Sequence, residues 1–402
     1  MLTPLLIFLG TYFVLAVGRL PGSRVDRTGG AIIGASLMVG FGVLSLEEAF
    51  QAINYETLIL LFGMMIVVAN LRLSGFFALV SSWVVRHTHR PLHLLCGIVV
   101  VSGLFSAFFV NDTMCLVLTP LILEIVTRLR RNPIPYLLAV AMASNIGSVA
   151  TITGNPQNML IGTFSRIPYR TFAAHLAPVA AVGLGLTILL ISWVYRTEFS
   201  NHAWVDIEER RVRVNRALLW KSVIGAAGMI VLFFADWSVP RVAIVVGSLL
   251  LITRRVKPEK IYREIDWSLL VMFGGLFIVI AGIEKTSLLD DLAALATHLQ
   301  LNRVDVLSAL AAVLSNAVSN VPAVLMFKPL MAHLANPSRG WLTLAMSSTL
   351  AGNLTLLGSI ANLIVVERAR HAVRISFTEH LKVGVPLTVL SMTAGVLLLS
   401  LR

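Results

Sequence analysis

The residues best suited to binding chemistry occur twice along the chain. The first set is Ser106-Ala-Phe-Phe-Val-Asn111-Asp112-Thr113, running on to Pro120, with Thr151-Ile-Thr-Gly154-Asn155-Pro156-Gln157-Asn158 after it. The second is Ser315-Asn-Ala-Val-Ser319-Asn320, running on to Pro329, with Thr355-Leu-Leu-Gly358-Ser359-Ile-Ala-Asn362 after it. Asn111 and Asn320, like Pro120 and Pro329, are 209 positions apart, whereas Thr151, Gly154 and Asn158 recur 204 positions on. A third match, Phe62-Gly63 with Phe273-Gly274, is offset by 211. Chain reversals and unwound turns inside apolar segments free backbone N–H and C=O groups, which are tolerated only within protein or along a watery cavity. Paired Gly/Pro-broken segments in two halves point to the binding site of a secondary transporter. The candidate substrate- and ion-binding residues are Asn111, Asp112, Thr113, Asn145, Thr151, Asn155 and Asn158 in one half, and Ser319, Asn320, Asn353, Thr355, Ser359 and Asn362 in the other. Asn111, Thr113, Ser319 and Asn320 are expected to cap the helices that restart after each reversal.

Asp112 is the one carboxylate expected at mid-depth, since Glu124 and Glu284 fall toward segment ends. An acid there is costly and marks function: it takes up a proton or binds a cation, and it can also cap the helix that follows. Cys96 and Cys115 fall on different arms of one expected hairpin, too far apart for a disulfide or a shared soft metal. Neither a metal nor a cofactor is expected. The coupling ion is H+ or Na+, with sodium placed near Asn111, Asp112 and Asn320.

The elements that position these residues are membrane helices. Hydrophobic residues make up 57% of the chain and charged residues 13%, and mean hydropathy is +0.85, which excludes an ordinary soluble domain. The first apolar run, Thr3 to Gly18, reads as a membrane helix and not a cleaved signal peptide, because no basic region precedes it. If 92–127 and 303–335 are hairpins that enter and return on one side, six loops holding 24 of the 32 Lys and Arg residues share one face. By the positive-inside rule that face is cytoplasmic, with both termini outside. The net charge of +12 therefore sets orientation and does not mark nucleic-acid binding. The fold class that follows is an all-α polytopic membrane protein built from two inverted repeats of five transmembrane helices. The first repeat spans 1–195, with hairpin 92–127 and broken helix 137–163. A cytoplasmic linker spans 196–217. The second repeat spans 218–402, with hairpin 303–335 and broken helix 341–365. Amphipathic stretches at Phe76 to Arg86 and Leu288 to His298 lie at the interface. Five crossings per half invert one half relative to the other, which predicts alternating access around a central site.

At these residues the chain resembles the ion-transporter superfamily, which includes citrate-transporter-like, divalent-anion/sodium symporter, arsenite-efflux and sodium/proton antiporter families. Asn111-Asp112 with Thr119-Pro120, the run Gly154-Asn155-Pro156-Gln157-Asn158, and Ser319-Asn320-Val321-Pro322 carry the resemblance, which is nearest to the compact arsenical-pump-like anion permease branch. It implies an elevator mechanism, a homodimer in a bacterial-type inner membrane, and, as in some arsenite permeases, room for a cytoplasmic ATPase subunit. The tips here read Val110-Asn-Asp-Thr113 and Ser319-Asn-Val-Pro322, departing from the Ser-Asn-Thr tips that hold carboxylates and sodium in the symporter branch.

The solute follows from electrostatics. No Lys or Arg is expected at mid-depth, and Lys328 reads as a side chain snorkelling to the outer interface. An anion 4 Å from an ionised Asp112 would be repelled by about 4 kcal/mol. A neutral polyhydroxyl solute meets only amides and hydroxyls, and a proton on Asp112 can move in exchange. Arsenite or antimonite efflux coupled to proton entry is therefore the favoured reading. Proton- or sodium-coupled uptake of citrate, a dicarboxylate or an inorganic anion is the alternative, and sodium/proton antiport a further one. An intramembrane enzyme lacks a catalytic pair or metal set, and closed tips argue against a channel.

Overall fold

The computed structural model describes residues 2–20, 22–88, 90–200, 214–254, 256–286 and 300–401, and among them there are helices and no β-strand. In chain order the helices are α1 (Leu2–Val17), α2 (Arg27–Gly40), α3 (Leu46–Ala52), α4 (Tyr55–Ser74), α5 (Phe76–His87), α6 (Pro91–Phe108), α7 (Asn111–Arg128), α8 (Pro133–Ser148), α9 (Pro156–Ser165), α10 (Tyr169–Val194) and α11 (Arg196–Ser200). They continue as α12 (Arg216–Phe234), α13 (Val239–Leu251), α14 (Pro258–Tyr262), α15 (Trp267–Glu284), α16 (Val304–Val318), α17 (Asn320–Met331), α18 (Pro337–Leu350), α19 (Ile360–Ala369) and α20 (Phe377–Ser400). Six of them (α4, α6, α10, α12, α15 and α20) are long and apolar enough to cross a bilayer. The protein is an all-α polytopic membrane protein. The amphipathic stretch expected at Leu288 to His298, and most of the linker expected at 196–217, lie outside the described residues.

Burial sorts the helices by position. From Pro135 to Ser148 in α8 and from Gly340 to Leu350 in α18 every residue is buried, so these two helices form the centre. Their Ala, Ser and Gly residues permit close approach: a Cβ on Gly147 would lie 2.1 Å from the backbone oxygen of Gly103 in α6. Outer helices instead expose large apolar side chains such as Phe13, Ile224, Val231 and Leu397, the pattern of a lipid-facing surface. Exposed Trp193, Trp220, Trp237 and Trp267 sit at or near helix ends, where an interfacial aromatic belt is favourable.

Two segments unwind after α8 and α18, and these helices begin ahead of positions 137 and 341. α8 starts at Pro133 behind an Asn132 cap and α18 at Pro337 behind an Asn336 cap. Proline suits a first helical position, because the N–H it lacks would be unsatisfied there anyway. At the far ends, short 3-10 turns at Ile152–Gly154, and at Ala351–Asn353 with Leu356–Gly358, lead into α9 and α19. The hairpins differ in length. α6 and α7 have 18 residues each, or about 27 Å at 1.5 Å per residue. α16 and α17 have 15 and 12, well short of a core roughly 30 Å thick.

The remaining helices pack reciprocally across the two halves. Gly63 of α4 lies against Ala243 of α13, and Gly275 of α15 lies against Ala31 of α2. Both pairings hold at one register of 212, which corrects the offset of 211 that matched Gly63 to Gly274; a Cβ on Gly274 meets nothing within 4 Å. A Cβ on Gly63 would stand 2.6 Å from the Ala243 carbonyl carbon, and one on Gly275 2.7 Å from the Ala31 oxygen. Gly63→Ala and Gly275→Ala should therefore each destabilise the fold by about 1–3 kcal/mol through overpacking. Gly274→Ala should leave the unfolding temperature in detergent unchanged, and equal effects at 274 and 275 would refute the register.

Candidate functional site

The two tips and the two broken segments meet in one buried polar cluster, and Asn145 near the end of α8 is its centre. Its Oδ1 accepts from Asn111 Nδ2 and from Ser359 Oγ, each at 3.0 Å. Its Nδ2 donates to Asn353 Oδ1 at 2.8 Å and to Asn362 Oδ1 at 3.0 Å. That is the full capacity of one amide, two bonds accepted and two donated. Asn353 in turn donates to the Met142 carbonyl at 3.2 Å.

Around this centre the backbone groups freed by unwinding are satisfied in the same way in each half. Asn158 Nδ2 donates to the carbonyls of Ser148 and Thr151, both at 3.0 Å. Asn362 Nδ2 donates to the carbonyls of Gly352 and Thr355 at 2.8 and 3.1 Å, every atom standing 204 positions on. Asn155 caps α9 through Asn158 N at 2.8 Å, and Ser359 caps α19 through Ala361 N at 3.2 Å. Across the halves the pattern is reciprocal: Asn155 Nδ2 donates to Thr349 Oγ1 at 3.2 Å, and Ser359 Oγ donates to Asn145 Oδ1 at 3.0 Å. Thr151 donates to the carbonyl of Ala107, tying the first break to the first hairpin. Thr355 reaches Asn316 Oδ1 at 3.1 Å, tying the second break to the second hairpin.

In front of the cluster lies a narrow cavity of about 30 Å³, room for a water or two. Asn111, Asp112, Gln157, Ser319, Asn320 and Ser359 line it from the tips and breaks, while Leu15, Arg27, Leu269 and Met272 close it from α1, α2 and α15. Asp112 is half-buried and makes no hydrogen bond or ion pair among the described residues. The side-chain oxygens of Asn111 and Asn320, counterparts on the two tips, are buried and have no hydrogen-bond partner among the described residues. Orphaned acceptors of this kind call for an explanation, and beside a cavity they can receive a solute hydroxyl or a cation. Ser319 has φ +77 and ψ 158, a region that essentially only glycine occupies and where strain gathers at functional sites.

Against this architecture, a family profile described as citrate transporter matches residues 12–351. The chain belongs to the citrate transporter family. It is similar to the silicon efflux transporter LSI3 of Oryza sativa subsp. japonica, with 32% identity over 96% of this chain and 95% of that one. It is also similar to the inner membrane protein YbiR of Escherichia coli K12, with 29% identity over 91% and 92% of the two chains. Its fold matches the crystal structure of the Alcanivorax borkumensis YdaH transporter, with a TM-score of 0.62 and 14% identity over 99% and 96% of the two chains. A member of this family is a membrane transporter and not an enzyme.

Within this citrate-transporter-family chain the candidate residues divide by position. Asn111, Asp112, Ser319, Asn320 and Ser359 reach the cavity. Asn145, Asn353 and Asn362 form the cluster behind it, and Thr151, Asn155, Asn158 and Thr355 hold the unwound backbone. Thr113 follows in the first turn of α7 without lining the cavity. The capping expected of the tip residues does not occur: α7 starts after Val110 and α17 after Ser319, neither with a side-chain cap bond. Asn111 is instead drawn to Asn145, because a bond inside the cluster satisfies two buried groups at once.

Two cations also differ from expectation. The cavity is not free of base, because Arg27, at the start of a short helix, lines it while its Nε donates to the Leu15 carbonyl at 3.1 Å. Nothing in the sequence separates Arg27 from its loop neighbours Arg19 and Arg24. Lys328 does not snorkel free: its Nζ lies 2.8 Å from Glu284 Oε1 and over the Phe164 ring. Gln157, in the Gly154–Asn158 run, lines the cavity as well and joins the site residues.

Asn145→Ala would strip partners from four buried side chains. At about 1–3 kcal/mol for each group left unsatisfied, the variant should lose several kcal/mol of stability. Asn158→Ala, which frees two carbonyls of one break, should cost less. Chemical unfolding of the detergent-solubilised protein measures both, and an Asn145→Ala protein as stable as the parent would remove the cluster from its central place.

Proposed function

We propose that the protein exports a small neutral polyhydroxyl metalloid, arsenous or antimonous acid, in exchange for protons, by alternating access around the Asp112 cavity. The observation that carries the reading is the make-up of the carrier side of that cavity. One carboxylate, Asp112, stands among amides and hydroxyls, with the orphaned oxygens of Asn111 and Asn320 beside it. Neutral M–OH groups donate hydrogen bonds to such oxygens without meeting charge repulsion, and Asp112 is left to carry the proton. The relative that effluxes silicon supports a solute of this kind, since silicon in neutral water is the uncharged hydroxide Si(OH)4.

In this reading the halves are inverted repeats. The hairpins and broken helices (α6–α9 and α16–α19) are the moving carrier, and α1, α2, α4, α12, α13 and α15 are the scaffold. The functional unit is a homodimer in a bacterial-type inner membrane, as the E. coli relative's name suggests, with both termini outside. A cytoplasmic ATPase subunit, where one docks, would meet the basic loops. Sodium bound near Asn111, Asp112 and Asn320 in place of the proton would make the protein a sodium-coupled carrier or a sodium/proton antiporter.

A specific observation favours a second reading. Arg27 brings a guanidinium to the cavity wall, and the family is that of citrate transporters, so proton- or sodium-coupled uptake of citrate or another organic anion also fits. Charge-assisted hydrogen bonds contribute about 1.5–3 kcal/mol. Arg27→Gln should thus raise KM for citrate roughly tenfold or more under this reading, and leave a metalloid exporter's KM within about twofold.

Proteoliposomes offered arsenite, antimonite, citrate, succinate and sulfate under imposed pH and sodium gradients decide between these. Asp112→Asn should abolish gradient-driven accumulation of the transported solute while the protein still elutes as a folded species. Coupling at the parent's level in that variant would remove Asp112 from the mechanism.

A further inference from the structure

A second cavity, of about 540 Å³, lies at the other ends of the helices that line the central one. α9 supplies Gln157 to the central cavity and Phe164 to the second; α17 supplies Asn320 and Lys328; α15 supplies Met272 and Glu284. Along α15 and α17 the two linings come as near as Met272 to Phe277 and Pro322 to Leu325, a wall roughly 5–8 Å thick at 1.5 Å per residue. Charged and polar groups from both sides face the second cavity, among them Asn54 and Glu56 beside Arg166 and Lys328. A hydrated polar solute fits such a lining.

Aromatic packing and one ion pair separate the two cavities. Phe164 of α9 meets Phe277 of α15 edge-on with ring centroids 6.4 Å apart, and Phe277 meets Phe273 one turn nearer the central cavity at 6.1 Å. Lys328 of α17 is held 5.2 Å above the Phe164 ring and 2.8 Å from Glu284 of α15. Each of these contacts except Phe273–Phe277 joins the hairpin or the first broken segment to another element of the site, and the ion pair and Phe164–Phe277 both bridge to α15. Lys328 and Glu284 are each about a third exposed to the second cavity. Water can solvate both charges when they part, so the pair is reversible and its rupture costs little.

We infer that the second cavity is one mouth of the transport path, and that Lys328, Glu284 and Phe164 form the gate closing it from the Asp112 cavity. The inference rests on the carrier–scaffold division proposed above. Parting Lys328 from Glu284 frees α17 to move along α15 and carries the cation away from Phe164, whose ring then no longer seals against Phe277. A purely structural surface pair would leave access to the central cavity unchanged when broken.

The test needs no solute, so its outcome is separate from that of the transport assays. In a background carrying Cys96→Ala and Cys115→Ala, Gln51→Cys identifies the face on which the second cavity opens, by its labelling with a membrane-impermeant maleimide in sealed vesicles. Met272→Cys then reports access to the central cavity from that face. Lys328→Gln and Glu284→Gln should each speed Met272→Cys labelling from that face about fivefold or more. The double exchange Lys328→Glu with Glu284→Lys should bring the rate back toward the parent's. Phe164→Leu, which keeps the ion pair, should speed labelling by a smaller factor. Single variants that are monodisperse, label normally at Gln51→Cys and keep the parent's Met272→Cys rate would overturn the gate. A charge exchange that labels as fast as the single variants would overturn the ion pair's part in it.

Discussion

Backbone polar groups released inside an apolar setting must find partners, and the rest of this structure is arranged around that requirement. Each broken segment frees carbonyls that water would otherwise have to reach. A single asparagine one turn further on, Asn158 in one half and Asn362 in the other, donates to two of them. Because both side chains spend their N–H groups this way, the segments can stay unwound at fixed positions. The unwound stretches in turn place the α9 and α19 N-termini, with Gln157 and Ser359, at one cavity. Asn145 then binds the two breaks and one tip into a unit, using every hydrogen-bonding site it has.

The second constraint is steric. Membrane helices gain little from apolar contact with one another, since lipid is equally apolar, so close backbone approach must supply much of the attraction. Gly63 on Ala243 and Gly275 on Ala31 provide it twice, each contact joining one half of the chain to the other. The halves are therefore interlocked and not stacked as separate domains. This interlocking places Leu15, Arg27, Leu269 and Met272 opposite the tips, so that the cavity has one wall from each kind of element.

The cavity combines groups with different demands. Asn145 has every site filled, whereas among the described residues the Asn111 and Asn320 oxygens have no partner and the Ser319 backbone is strained. Polar groups in that condition are costly unless a ligand completes them. Unpartnered oxygens at the cavity wall, held in place by the fully bonded Asn145 behind them, suit a solute that binds and then leaves.

Local features of the chain were sufficient to determine the membrane class, the two broken segments and the candidate amides. Composition, apolar run length and Gly/Pro/Asn clustering act within a few turns and do not need a partner. The paired occurrence of Asn111 with Asn320 and of Asn158 with Asn362 likewise stands in the sequence as a constant offset. Tertiary structure alone decided which glycine meets which helix, moving the register from Gly274 to Gly275. It also turned Asn111 from a cap into a ligand of Asn145, brought Arg27 to the cavity, and gave Lys328 its partner in Glu284. Each of these depends on groups far apart in the chain meeting in space, or on a choice between a local bond and a distant one. Spacing along the sequence carries no energy for such contacts until packing brings the elements together.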